Sequence, residues 1–252
     1  MAVAEATGNR QQATGAHSAH GTRRSALGTA LAWITAVLMA ASLFAVFVYA
    51  PIERTQGPPQ KIFYFHVPLA WDAYLAFFCT LIGSIAYLRT AKQKWDVLAY
   101  SSAEIGVVFT TLVLISGSIW GKTIWGAWWA WDARLTSTLV MWFIYVAYLM
   151  LRSSVGRTTV KAARYAAVLG IVGFVDVPIV HMSVTWWRTL HPQPTIANPA
   201  GPTLPASMLA TFFLCLVTFT LFFAWLLRER MAVEQLRHDV DALSARLLEA
   251  QA

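Results

Sequence analysis

Six long runs of apolar residues, separated by short polar segments, dominate the hydrophobic pattern of the chain. They cover about residues 27–49, 69–88, 101–119, 136–151, 165–182 and 205–227. About 20 apolar residues in a helix cross a bilayer core of about 30 Å. The fourth and fifth runs are short, and we expect their helices to extend into the flanking residues. The pattern predicts an all-α integral membrane protein with six transmembrane helices.

The two ends of the chain differ from this membrane domain, which we place at residues 25–228. Residues 1–24 contain little to bury and are predicted to form a disordered tail. In residues 229–252, apolar side chains recur at alternating intervals of three and four, as in a short heptad seam. The seam consists of Val233, Leu236, Val240, Leu243 and Leu247. This pattern predicts an amphipathic helix that packs on a partner or on itself.

The composition agrees with a membrane protein, because 58% of the residues are hydrophobic and 12% are charged. A net charge of +7 raises the possibility of a nucleic-acid partner. The basic residues, however, stand in short clusters between the apolar runs, as expected for membrane orientation. We therefore predict membrane lipid and not nucleic acid as the surrounding partner.

Lysine and arginine are distributed unequally between the two sides of the predicted bundle. Fourteen of the nineteen flank the runs on the side of both termini, and the opposite side has only Arg54, Lys61, Lys122, Arg134 and Arg188. Cytoplasmic segments carry the excess of positive charge. Both termini are therefore predicted to be cytoplasmic, and segments 50–68, 120–135 and 183–204 are predicted to lie on the outer side.

The second outer segment is unusually rich in tryptophan. The stretch 118–137 reads SIWGKTIWGAWWAWDARLTS and contains five of the twelve Trp residues: Trp120, Trp125, Trp128, Trp129 and Trp131. Glycines allow close backbone approach, and buried indole N–H groups need partners. These features predict a surface that holds a large, flat, apolar molecule. The alternative is an aromatic belt at the membrane interface, which does not account for Gly121, Gly126, Asp132 and Arg134.

Two histidines accompany this segment on the outer side. His66 lies in KIFYFHVPLAW and His191 in SVTWWRTLHPQP, and each is followed closely by proline. Two imidazoles from different loops meet the axial requirement of a six-coordinate haem iron, whereas tetrahedral zinc needs more nitrogen or sulfur donors. A solvated or capping role remains the alternative for each histidine. His181, at the outer end of the fifth run, is a third candidate, although hydrogen bonding between helices is the more common role there.

Several charged residues have more than one possible role. Arg134, Arg188, Lys122 and Arg54 are the outer cations available to haem propionates, and arginine suits carboxylates best. Their alternative role is interfacial anchoring. Asp132 has Arg134, Lys122 or an indole N–H as possible partners. Within the apolar runs, Asp176 and Glu104 are candidate functional acids, and Asp176-Val-Pro178 predicts a kink.

The Trp-rich stretch resembles the WGxxWxWD signature of a haem-handling superfamily. The matching residues are Trp125, Gly126, Trp128 or Trp129, Trp131 and Asp132, followed by RLTS. Within that superfamily, most of 27–227 is similar to the haem exporter protein C (CcmC) family of bacterial system I cytochrome c maturation. The similarity includes FHVPLAW around His66 and SVTWWRTLHP ending at His191.

The resemblance implies a function and an assembly. His66 and His191 would be the axial ligands of haem b. The Trp-rich segment 120–135 (the WWD segment) would hold the porphyrin edge at the periplasmic face of the bacterial inner membrane. The residues implied in binding are His66, His191, Trp120, Trp125, Trp128, Trp129, Trp131, Asp132, Arg134 and Arg188. The chain would load haem onto the haem chaperone CcmE, together with the ABC components CcmA and CcmB and the small protein CcmD.

Two other classes of function compete with haem binding and transfer. A permease moving haem or another solute through the bundle would need polar residues at mid-depth, and these are few apart from Asp176. A redox enzyme with haem in its lumen would carry ligand histidines inside the spans. The positions of His66 and His191 at or beyond span ends favour a binding and transfer protein over a classical enzyme.

Overall fold

The structure, a computed structural model, describes residues 26–192, 196, 201 and 204–251. Helices account for most of these residues, and no strand is formed among them. The helices are α1 (Ala26–Tyr49), α2 (Phe63–Thr90), α3 (Gln93–Trp125), α4 (Ala133–Val155), α5 (Val160–Phe174), α6 (Asp176–Trp186) and α7 (Ala206–Gln251). The predicted tail of residues 1–24 and most of segment 193–203 lie outside the described residues.

Six helical segments are long and apolar enough to cross a membrane, which confirms the predicted all-α, six-span architecture. The short fourth and fifth runs extend as expected, to Ala133–Val155 and Val160–Trp186. The fifth span consists of α5 and α6, which meet at Val175 beside the predicted kink. Pro178 explains this break, because its ring nitrogen donates no helical hydrogen bond.

Helix α2 begins earlier than the apolar run suggests. A 3₁₀ turn, Pro58–Ile62, leads directly into it, and Pro68 lies inside the helix. His66 therefore lies in the first turn of a membrane helix and not in the preceding loop. Since helical geometry fixes the direction of each side chain, this position determines which neighbours the His66 ring can meet.

The core of the bundle lies between α2, α3, α4 and the fifth span. The rings of Phe77 and Tyr145 stack with centroids 3.7 Å apart, and Tyr148 and Met141 are buried beside them. Close approach of α2 and α3 requires Gly83, since a Cβ there would lie 2.8 Å from the Trp95 carbonyl oxygen. Tight packing of this kind gives the outer ends of the helices fixed relative positions.

Ion pairs gather at the other end of the bundle, on the side where α1 begins. Arg152, buried in α4, donates two hydrogen bonds to Asp96 of α3, at 3.0 and 2.9 Å. Glu234 of α7 is also buried and accepts from Arg157 and Arg230, both at 3.1 Å. Helix α7 thus continues beyond the membrane-crossing length and is attached to the bundle through Glu234.

Candidate functional site

A chamber at the predicted outer end of the bundle collects residues from five parts of the chain. The chamber is partly open to solvent, and its cavity volume is about 60 Å³. Among its lining residues are four that the sequence analysis selected: His66, Trp129, Arg134 and His191. The rest of the lining comes mainly from α2, α3 and α4 and is largely apolar, including Ala70, Ala73, Val113, Leu114 and Met141.

His66 reaches the chamber from α2 and is held from α3. Its Nδ1 atom lies 2.9 Å from the Ser116 hydroxyl oxygen. The Trp120 ring packs edge-on against the imidazole, with centroids 5.7 Å apart, and donates its N–H to the Gln56 side chain at 3.1 Å. With Nδ1 engaged, Nε2 is the ring nitrogen that remains for a metal.

His191 reaches the chamber from the segment that follows α6, and Asp132 holds that segment. Asp132 Oδ2 accepts from the Thr189 hydroxyl at 2.7 Å and from the Leu190 N–H at 3.1 Å. His191 Nδ1 is 3.6 Å from the same oxygen, which is too long for a hydrogen bond and leaves an electrostatic contact. Asp132 thereby fixes the position of the second imidazole.

Asp132 also caps α4, since its Oδ1 accepts from the Leu135 N–H at 2.8 Å. The sequence left its partner open among Arg134, Lys122 and an indole. The described partners are instead two backbone N–H groups and the Thr189 hydroxyl, while the Lys122 ammonium donates to the Gly126 carbonyl at 2.9 Å. Asp132 therefore connects the start of α4 to the segment that carries His191.

The charges around His191 favour an ionised acid beside a neutral imidazole. Burial opposes ionisation of Asp132, but the hydrogen bonds from Leu135 and Thr189 outweigh it and hold the pKa of the carboxyl below its usual value. Burial, followed by the charge of Arg134, lowers the pKa of His191, and Asp132 opposes this only in part. A neutral imidazole keeps the lone pair that metal ligation requires.

The tryptophans of the WWD segment divide into an inner and an outer set. Trp125 packs edge-on against His191, with ring centroids 5.1 Å apart, and Trp129 lines the chamber. The Trp129 indole N–H is buried without a hydrogen-bond partner among the described residues. Trp128 and Trp131 are 61% and 78% exposed and form an apolar surface beside the chamber.

Glycines allow this arrangement at the end of α3. Gly126 ends the helix with φ of +78°, a conformation that favours glycine. A Cβ on Gly121 would lie 3.1 Å from the Trp125 ring. Gly126 therefore lets the chain turn away at the end of α3, and Gly121 leaves room for the Trp125 ring to pack against the same helix.

Other predicted candidates are not among the described lining residues of the chamber. Arg188 is exposed beyond α6 and is not among the described lining residues. His181 is exposed on α6, where its ring lies edge-on to Tyr74 at 6.5 Å. Of the outer cations, Arg134 alone belongs to the described lining.

Two residues of interest were missed in the sequence analysis. Ser116 carries no distinctive signal, because a serine near the end of an apolar helix is common. Asp72 did carry a signal, as an acid within an apolar run. It is fully buried in α2, with Oδ1 3.5 Å from the Thr220 hydroxyl and Oδ2 without a partner among the described residues.

Comparison with known proteins identifies the family of the chain. Residues 14–246 match the family described as CcmC, heme exporter protein C. The heme exporter protein C of Bradyrhizobium diazoefficiens is 38% identical over 213 residues, covering 84% of this chain and 80% of that protein. Its counterpart in Haemophilus influenzae is 35% identical over 219 residues, covering 84% and 86%. That of Escherichia coli is 39% identical over 145 residues, covering 58% and 59%. The chain therefore belongs to the CcmC family, heme exporter protein C, as a multi-pass protein of the bacterial inner membrane.

Proposed function

We propose that this protein binds haem b as cargo between His66 and His191 at the periplasmic face and transfers it to the haem chaperone CcmE. Membership in the CcmC family supports the broader role, haem export for cytochrome c maturation. The observation that carries the proposal is that His66 and His191, which are distant in the sequence, line one chamber. Haem iron accepts two axial nitrogen ligands.

The other lining residues suit the remaining parts of a haem. The largely apolar wall suits the porphyrin, and Arg134 offers a cation for a propionate carboxylate. The Trp129 N–H, which has no partner among the described residues, is a second donor in the same chamber. A buried donor without a partner is costly. An acceptor brought by the cargo would remove that cost.

The outer tryptophans suit the transfer step. Trp128 and Trp131 leave large apolar rings exposed beside the chamber, and exposed aromatic surfaces are common at protein interfaces. We assign this surface to CcmE. In this proposal CcmA, CcmB and CcmD complete the assembly. The charge asymmetry of the chain supports a periplasmic position of the chamber.

The ligand assignment is tested by visible spectroscopy of the purified full chain, with and without reductant. We expect a low-spin, bis-histidine spectrum from the wild type. His66→Ala and His191→Ala should each lose haem or change the spectrum, and added imidazole should restore it. His181→Ala is the matched control and should keep the spectrum. Loss in His181→Ala together with retention in His191→Ala would refute the assignment.

A further inference from the structure

We propose that Ser116 is a positioning residue that fixes the tautomer of His66, so that the Nε2 lone pair is available to the cargo iron, and that Gly117 provides room for the ring. The inference rests on the proposed function only in taking His66 as a ligand. Ser116 and Gly117 are consecutive residues of α3, and both face the His66 imidazole.

The tautomer follows from counting hydrogens around the Ser116 hydroxyl. Its oxygen lies 2.7 Å from the Leu112 carbonyl oxygen and 3.3 Å from that of Val113. A carbonyl oxygen only accepts, so the single hydroxyl hydrogen is directed to Leu112, in the shorter contact. The hydroxyl oxygen then acts as the acceptor at 2.9 Å from His66 Nδ1. Nδ1 therefore carries the hydrogen.

This hydrogen bond determines the chemistry of the opposite nitrogen. A neutral imidazole has one N–H, so a protonated Nδ1 leaves Nε2 with a free lone pair. The hydrogen bond made by one ring nitrogen sets which nitrogen binds a metal. Loss of such a supporting contact typically weakens metal binding about 10- to 100-fold. Asp132 holds the segment that carries His191 without a hydrogen bond to its ring, whereas Ser116 contacts the His66 ring directly.

Gly117 restricts the position of the His66 ring, from the same side of α3 as Ser116. A Cβ at this position would lie 3.0 Å from His66 Cε1, the carbon between the two nitrogens. A methyl group there would displace the ring, and both nitrogens would move with it. The edge of Trp120 contacts the imidazole as well, so the ring has little freedom to compensate. Ser116 and Gly117 together form a cradle for the imidazole.

The tautomer is measured in the haem-free full chain, labelled with ¹⁵N-histidine and reconstituted in lipid nanodiscs. The His66 signals are assigned by their absence in His66→Ala. We expect a protonated Nδ1 and an unprotonated Nε2 in the wild type and in Ser116→Thr, and a mixture of tautomers in Ser116→Ala. Ser137→Ala is the control, because the Ser137 hydroxyl donates to its own helix at Ala133, 2.7 Å away, as Ser116 does. A protonated Nε2 in the wild type, or an unchanged signal in Ser116→Ala, would overturn the inference.

Haem titration of the same variants separates this inference from the ligand assignment. We expect Ser116→Ala and Gly117→Ala to bind haem about 10- to 100-fold more weakly than wild type, and Ser137→Ala to bind normally. If His66→Ala keeps the wild-type spectrum, the ligand assignment fails, and the nitrogen signals still decide the role of Ser116. If His66→Ala loses the spectrum but Ser116→Ala binds haem normally, the positioning role alone is wrong.

Discussion

At the scale of single residues, Asp132 determines the geometry on the His191 side of the chamber. One carboxylate oxygen caps α4 and the other receives two donors from Thr189 and Leu190. A neutral amide has one acceptor oxygen and presents an N–H₂ donor in place of the second. Asparagine, the uncharged side chain of the same shape, can therefore accept from α4 or from the Thr189–Leu190 donors, but not from both.

We predict that Asp132→Asn weakens haem binding about 10- to 100-fold, as loss of a supporting contact does. The accompanying loss of stability should be small, because asparagine caps a helix about as well as aspartate. Haem titration and thermal unfolding measure the two effects. Thr159→Ala is the matched control, because Thr159 caps α5 through the Ala162 N–H at 3.2 Å and does not line the chamber. It should lose stability alone, and normal haem binding by Asp132→Asn would contradict the role of Asp132.

The inner and outer tryptophans lead to a second prediction at this scale. Trp129→Ala should lower haem retention, because the ring lines the chamber. Trp131→Ala should retain haem and slow its transfer to CcmE, because this ring is 78% exposed. Spectra of the loaded protein, before and after mixing with CcmE, measure both steps. Trp33→Ala is the control variant, because Trp33 is an exposed residue of α1. If all three variants retain and transfer haem equally, the tryptophans of the WWD segment form only an aromatic belt.

At the scale of elements, α7 has two different faces beyond the membrane. Glu234 is buried, and His238 lies 4.0 Å from Asp96, so this polar face is turned toward the bundle. The heptad seam is exposed: Val233, Leu236, Val240, Leu243 and Leu247. The predicted amphipathic helix is present, but its apolar face has no cover within the described chain, and the packing of this seam on a partner or on a second copy stays a prediction.

This arrangement makes the effect of a truncation depend on where it is made. Removal of residues 241–252 should leave insertion and haem binding intact, because these residues lie beyond the ion pairs. Removal of residues 231–252 also deletes Glu234, and Arg157 and Arg230 lose that partner. The bundle then loses the ion pair between Arg157 and α7, which destabilises the folded state. Folded yield and thermal stability in detergent should therefore fall only in the longer deletion, and Glu234→Ala should reproduce that fall.

At the scale of the whole molecule, the site is the outer end of a bundle whose other end is fixed by charge. The chamber draws on α2, α3, the Trp129 segment between α3 and α4, α4 itself and the segment after α6. Ion pairs join α3, α4 and α7 at the opposite end. The chamber and the attachment of α7 are thus separated by the length of the membrane spans.

The orientation of this bundle is tested by cysteine accessibility in intact cells, after replacement of Cys79 and Cys215 by alanine. A cysteine at Trp131 should react with a membrane-impermeant thiol reagent added outside the inner membrane. A cysteine at Leu236 should react only after permeabilisation. Both positions are exposed, so a difference reports the side of the membrane. The reverse pattern would contradict the predicted topology.

The sequence by itself determined the number and type of the helices. A bilayer requires about 20 apolar residues per helical crossing, and this local requirement is visible in each run. The family was equally accessible, because the Trp-rich segment and the two histidine stretches are contiguous motifs. The break beside Asp176 followed from Pro178, whose effect is confined to its own turn.

Only the tertiary structure decided which of these residues meet. Arg134 and Arg188 are alike in the sequence, yet Arg134 lines the chamber and Arg188 is exposed. Asp132 is joined to Thr189 and Leu190, and His66 to Ser116. These contacts connect segments about 50 residues or more apart, and they depend on the rotation and depth of each helix in the bundle. Uniformly apolar helices carry little periodic signal for that rotation, so side-chain packing between helices settles it.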